Sequence, residues 1–223
     1  MYFILFITIT LLSWGVSALL NHRFKQYSKV YISLTGREVA ERMLRENGLS
    51  DVSVTCTPGH LTDHYDPRNK TVNLSEDVYN SNSVAAAAVA AHECGHALQH
   101  AMAYGPLTMR SALVPVVNFA SKWVTWILLG GILLIETLGP QLLLAGIILY
   151  ALTTLFTFVT LPVEINASQR AIMWLEQAGI TDRETTPMAS SALRSAAYTY
   201  VVAALSSLGT LVYYILIFIG RRD

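Results

Sequence analysis

The sequence predicts a mainly α-helical membrane protein in which about four transmembrane helices carry a small α+β domain. Hydrophobic residues make up 53% of the 223 residues and charged residues only 13%, about half the roughly 25% usual in soluble domains. Four long apolar stretches approach or exceed the ~20 residues that one helix needs to cross a hydrocarbon core. Between the first and the second lies a polar region with ordinary soluble patterning.

The first element, residues 1–21, is apolar from Tyr2 to Leu20 and gives way at once to the basic "NHRFKQYSK". A signal peptide places basic residues before its apolar run and a small-residue cleavage site after it, so the inverted order predicts a retained anchor. Residues 22–115 follow as the soluble region. There Thr35 is an N-cap, Val39, Ala40, Met43 and Leu44 recur at helical spacing, and Gly48 is a C-terminal stop. "VSVTCTP" and "KTVNLS" alternate like strands on either side of the turn-rich "DHYDPRN", which predicts a two-stranded sheet. Ser75 with Glu76 and Asp77 opens a short helix, and Ser83 caps a longer one from Val84 to about Met102, which Gly105 and Pro106 end.

Residues 116–161 read as a membrane hairpin, with spans at about Val116 to Ile135 and 142–161 joined by "ETLGPQ". Lys122 lies near enough to one end for its ammonium to snorkel. Residues 162–196 are a polar segment. Residues 197–223 hold the last span, Ala197 to Ile219, with Tyr198, Tyr200, Tyr213 and Tyr214 placed as interfacial aromatics. Four crossings put the two polar segments on one side. Arg23, Lys25, Lys29, Arg110, Arg170, Arg183 and Arg194 lie there and the hairpin loop has no Lys or Arg, so that side is expected to be the cytosol; Arg221 and Arg222 dissent. A net charge of zero speaks against nucleic acid as a partner. Cys56 and Cys94, if cytosolic, are expected to be free thiols.

The chemistry is concentrated in "VAAAAVAAHECGHALQHAMAYGP". His92 and His96 are four apart on the expected helix, so their imidazoles leave one face about 6 Å apart and can grip one ion. Glu93 sits beside the first of them, able to act on a metal-held water without being a ligand. This is an HEXXH arrangement. Zinc suits imidazole, and a catalytic zinc site keeps three protein ligands with a fourth position for water. Affinity alone discriminates poorly among divalent metals.

"TLPVEINASQRA" supplies a third-ligand candidate, Glu164, just beyond the hairpin on the side that carries His92. A lone carboxylate there also fits a solvated interfacial charge. Ser168, one turn on, shares its face and suits a hydrogen-bonding partner. His64, Tyr65, Arg170 and Tyr198 are candidates to stabilise a developing oxyanion, with a turn-forming role as the alternative for the "DHYDP" pair. His100 lies about 12 Å along the helix from His92, too far to share its ion; it reads as an ordinary hydrogen-bonded histidine, His60 as solvent-facing and Cys94 as packing. "TVNLS" is a candidate edge strand to which an extended substrate could add.

"QYSKV", "TDHYDPRNKTVNLSEDVYN", "AAHECGHALQHA", "RSALVPVVN" and "LPVEINASQRA" together resemble the YugP-like neutral zinc metallopeptidases, bacterial multi-pass membrane proteins, over nearly the whole chain. That family looks related to the gluzincins, including the HtpX-like and prenyl-protein membrane proteases, so the resemblance implies a gluzincin-like zinc peptidase domain. It implies one Zn2+ per chain held by His92, His96 and Glu164, with Glu93 as general base. Those relatives often carry Asp four residues after the ligand Glu, where this chain has Ser168. The expected protein is then a zinc-dependent endopeptidase of a bacterial cell membrane, its site at the cytoplasmic surface. Its partners would be the lipid bilayer and a protein or peptide substrate. A catalytically silent zinc-bearing scaffold is the competing reading; Glu93 speaks against it, since a structural zinc has no use for a base. A third reading, cleavage inside the bilayer, fits poorly with a histidine helix that is polar at both ends. Oligomeric state and natural substrate are not legible.

Overall fold

The computed structural model describes residues 2–134 and 137–220. Ile135, the expected end of the second span, and Arg221 and Arg222 lie outside them. The protein is mainly α-helical, and four of its helices are long and apolar enough to cross a membrane. These are α1 (Tyr2–Tyr27), α5 (Gly105–Leu133), α6 (Gly139–Gln177) and α7 (Thr185–Ile219). Between α1 and α5 come α2 (Gly36–Glu46), β1 (Ser53–Thr57), β2 (His64–Asp66), β3 (Thr71–Ser75), α3 (Glu76–Tyr79) and α4 (Val84–Ala101).

Two compact units divide the chain. The first comprises residues 1–14, 108–161 and 200–223. Within it α5 and α6 approach through glycines: a Cβ on Gly131 would meet the Leu143 backbone nitrogen at 2.7 Å, and one on Gly146 would meet Leu128 Cδ2 at 2.6 Å. Small residues at helix crossings are what apolar spans use to pack, because lipid supplies no hydrophobic drive between them. Thr154 and Ser207 share a hydrogen bond of 2.7 Å between α6 and α7.

The second unit, residues 15–107 and 162–199, holds the polar regions. The alanine run explains its centre. Ala85, Ala87, Ala88, Ala90 and Ala91 are fully buried, so the first half of α4 is surrounded on all sides, which a helix of bulky side chains could manage only at wider spacing. Against it pack Val39, Ala40, Met43 and Leu44 of α2, Val72 and Leu74 of β3, and Ala171, Trp174 and Leu175 of α6. The α2 start is a full capping box of Thr35 and Glu38, and Gly48, at φ +75°, takes the left-handed turn that ends it. Trp174 Nε1 donates to Glu46 Oε2 at 2.9 Å, and Arg42 donates to the Ala178 carbonyl at 3.2 Å. Together they tie the end of α6 to α2.

The sheet corrects the sequence reading. It has three strands in the order β1-β3-β2, with β1 parallel and β2 antiparallel to β3. The third strand, His64–Asp66, lies inside the segment read as turn. "TVNLS" is therefore the central strand, paired on both sides, and offers no edge for a substrate. Its Val72 and Leu74 are fully buried, and that burial drives them to the middle of the sheet.

Helix ends differ too. Pro106 does not end α4; it lies in the first turn of α5, where a missing N–H costs nothing. α6 runs unbroken through Pro162, past the expected end of the span at residue 161.

Candidate metal centre

His92 and His96 occupy successive turns of α4, and their rings meet edge to face with centroids 4.7 Å apart. Glu164 emerges from α6 with its Oε2 at 3.4 Å from His92 Nε2 and 3.6 Å from His96 Nε2. The carboxylate is almost fully buried and the two imidazoles nearly so. Among the described residues, these three form the group able to hold a metal, with donor atoms all within 4.8 Å of one another.

Their spacing suits zinc. A tetrahedral ion at about 2.0–2.2 Å from each donor separates neighbouring donors by roughly 3.3–3.6 Å, and the two observed carboxylate–imidazole distances match that range. The electrostatics agree. Burial alone would lower the pKa of His96, but the hydrogen bond to Glu164 and the charge of Glu93 outweigh it and hold it above the ordinary imidazole value. The site attracts positive charge.

The identities of the residues between the histidines also have reasons. A Cβ on Gly95 would meet the Ala167 carbonyl oxygen at 2.7 Å and its Cα at 3.2 Å, so only glycine lets the α4 and α6 backbones cross closely enough for Glu164 to reach both rings. Cys94 faces the other way, fully buried, with its thiol toward the Ala40 carbonyl at 3.7 Å. Burial in apolar surroundings raises its pKa, which keeps it an inert packing group.

The far nitrogen of each imidazole has its own partner. His92 Nδ1 lies 3.1 Å from Ser168 Oγ, so Ser168 supports the histidine across the site, not Glu164 on its own helix. His96 Nδ1 donates to Gln99 Oε1 at 3.0 Å. Gln99, fully buried, in turn donates through Nε2 to the Val163 carbonyl at 2.8 Å and to Asn166 Oδ1 at 3.0 Å. Arg170 Nε donates to that same Oδ1 at 2.8 Å. Because Gln99 Nε2 faces two acceptors, its Oε1 must face His96, which places the imidazole proton on Nδ1 and leaves Nε2 free to bind a metal.

Neither Gln99 nor Asn166 was singled out from the sequence. The available signal was spacing: Gln99 is three residues after His96, on the same helix face. Gln99→Leu is expected to weaken zinc binding by about 10- to 100-fold, read by competition with a fluorescent chelator. Unchanged affinity would show that the ring needs no such partner.

The remaining candidates are placed as follows. Glu93 lies on α4, nearly buried, close enough to raise the His96 pKa. Arg170 joins the Gln99 network, and one of its terminal nitrogens also lies 3.2 Å from Met102 Sδ. Tyr65, on β2, packs against His100 with ring centroids 6.0 Å apart. That ring contact is what the structure shows for His100. His64 is exposed and bonds the Thr62 carbonyl through Nδ1 at 2.8 Å, while Tyr198 is 44% exposed on α7. No contact brings His64 or Tyr198 to the metal ligands among the described residues. His60 is exposed, as expected, and pairs with Asp77 at 2.8 Å.

A family model described as "Putative neutral zinc metallopeptidase" matches residues 2–219. The chain is also 44% identical over 225 residues to "Putative membrane protease YugP" of Bacillus subtilis (strain 168), an alignment covering 98% of this chain and 99% of that protein. No solved structure matches.

Proposed function

The chain belongs to this neutral zinc metallopeptidase family, and from that premise we propose that it is a zinc-dependent endopeptidase of a bacterial cell membrane. Its site would be gluzincin-like, with His92, His96 and Glu164 as ligands and Glu93 as base. The observation that carries the reading is the convergence of three metal-ready donors beside a nearly buried carboxylate that is not one of them. A silent zinc scaffold would not need Glu93.

Bound zinc would lower the pKa of a water toward about 7 and polarise a carbonyl. Glu93 accepts the proton of the attacking water and passes it to the leaving amine as the peptide bond breaks. His92, His96 and Glu164 would hold the ion, while Ser168 and Gln99 bond the far nitrogens of the two rings and keep each Nε2 turned inward. No covalent intermediate is required. The distribution of Lys and Arg between the loops supports a site facing the cytosol, where it would meet membrane-associated proteins or peptides.

The test is metal removal and return. The purified protein is expected to hold near one zinc per chain and to cleave casein. Dialysis against a chelator should abolish cleavage and added zinc should restore it, measured by metal analysis and fragment release on the same samples. Zinc present throughout without cleavage would favour the scaffold.

A further inference from the structure

An open groove of about 430 Å3 runs between α6 and α7, and no step above employs it. Ile165, Ile172 and Met173 of α6 and Leu193 of α7 supply apolar walls, and Ser168 and Arg194 supply polar ones. Its size falls among ligand clefts, which typically combine apolar walls with a few polar groups. Two features tie it to a peptide. Ser168 belongs both to the groove wall and to the 3.1 Å contact with His92 Nδ1, so the groove begins one side chain behind a metal ligand. Arg194 bonds Ser190 Oγ at 3.3 Å but forms no ion pair among the described residues. Its guanidinium is exposed at the edge of the groove.

We propose that this groove is a substrate subsite that takes an apolar side chain together with a neighbouring carboxylate of the same peptide. The side chain sits among the walls of α6 and Leu193, and the carboxylate pairs with Arg194, whose planar fork can bind it through two parallel N–H bonds. The carboxylate is that of an acidic side chain or of a free C-terminus; the chemistry at Arg194 is the same. The inference rests on the hydrolase reading above and adds a selectivity to it.

The test uses the full chain, zinc-loaded in detergent, and a fluorogenic peptide copied from a casein site that the wild type cleaves. Variants of that peptide replace its apolar residue with Asn, its acidic neighbour with the amide, and its free C-terminus with an amide. Loss of the apolar residue is expected to raise KM about 10-fold or more. Loss of the carboxylate should raise KM several-fold in the wild type and leave it unchanged in Arg194→Gln; whichever amide does so identifies the source. Arg194→Glu, checked for zinc content as evidence of folding, should reverse the preference toward a Lys-bearing peptide. Equal KM across the series, or an unreversed ranking in Arg194→Glu, would overturn the subsite, as would uniform inhibition of every peptide by anionic lipid micelles, which would assign the groove to lipid. Absence of casein cleavage by the wild type sinks the hydrolase reading itself, whereas casein cleavage with a flat peptide series sinks the subsite alone.

Discussion

Glu93→Gln is expected to lower peptide cleavage by roughly 10²- to 10⁴-fold, the range that a positioned acid–base group supplies, while zinc stays near one per chain. The substitution keeps the size and shape of the side chain and removes only its ability to take a proton. Glu93 lies outside the group of donors that converge, so the metal should not notice the change directly. The measurement is kcat on casein or a derived peptide, with zinc content on the same preparation. Retained zinc with lost turnover assigns Glu93 to the reaction. Retained turnover would move the base to another group, and loss of both would make Glu93 a contributor to metal affinity, which its influence on the His96 pKa makes the sharpest competing outcome.

How much of this was legible before any coordinates depended on whether the determining interaction was local. The histidine pair, the cap at Ser83 and the capping box at Thr35 are properties of a few consecutive residues, and helical periodicity reads them directly. The apolar spans are legible for the same reason. β2 was not, because three residues are too few to show alternation and "DHYDPRN" is dominated by turn formers. Calling "TVNLS" an edge strand failed because edge or centre is decided by what pairs on the second side, and that partner was hidden in the supposed turn. Gln99 looked like the polar end of a helix. It is fully buried only because α6, more than 60 residues later in the chain, brings the Val163 carbonyl and Asn166 onto it.

The course of α6 teaches the same lesson from the other direction. The fall in hydropathy after Leu161 is real, and it was read as the point where the membrane segment stops. A change of solvent is not a change of backbone conformation. Val163, Ala167, Ala171 and Trp174 recur every three or four residues and are all buried, so the helical pattern continues with a different partner. The helical course beyond Pro162 puts Glu164, Asn166, Ser168 and Arg170 on one element.

Glu164→Ala should therefore cost more zinc affinity than any change to the hydrogen bonds behind the rings, which are worth about 10- to 100-fold. The carboxylate supplies one of three donors and the only negative charge among them, and a zinc held by two imidazoles alone keeps its full double charge in a site from which water is largely excluded. The expected result is near-zero zinc after dialysis under conditions where Gln99→Leu still retains some, with cleavage lost in proportion to metal. Glu164 is buried at 3% exposure, so folding is checked on the same variant by the helical spectrum and melting profile of the metal-free protein, which are expected to be unchanged. Glu164→Asp gives the geometric control. It keeps the charge but withdraws the oxygen by one methylene, so if the 3.4 and 3.6 Å approaches reflect a site built to tetrahedral dimensions, Asp should bind zinc better than Ala and worse than Glu. If Ala instead keeps a full complement of zinc, the two histidines must find their third donor elsewhere, and the convergence of Glu164 upon them would be an ion pair without a metal.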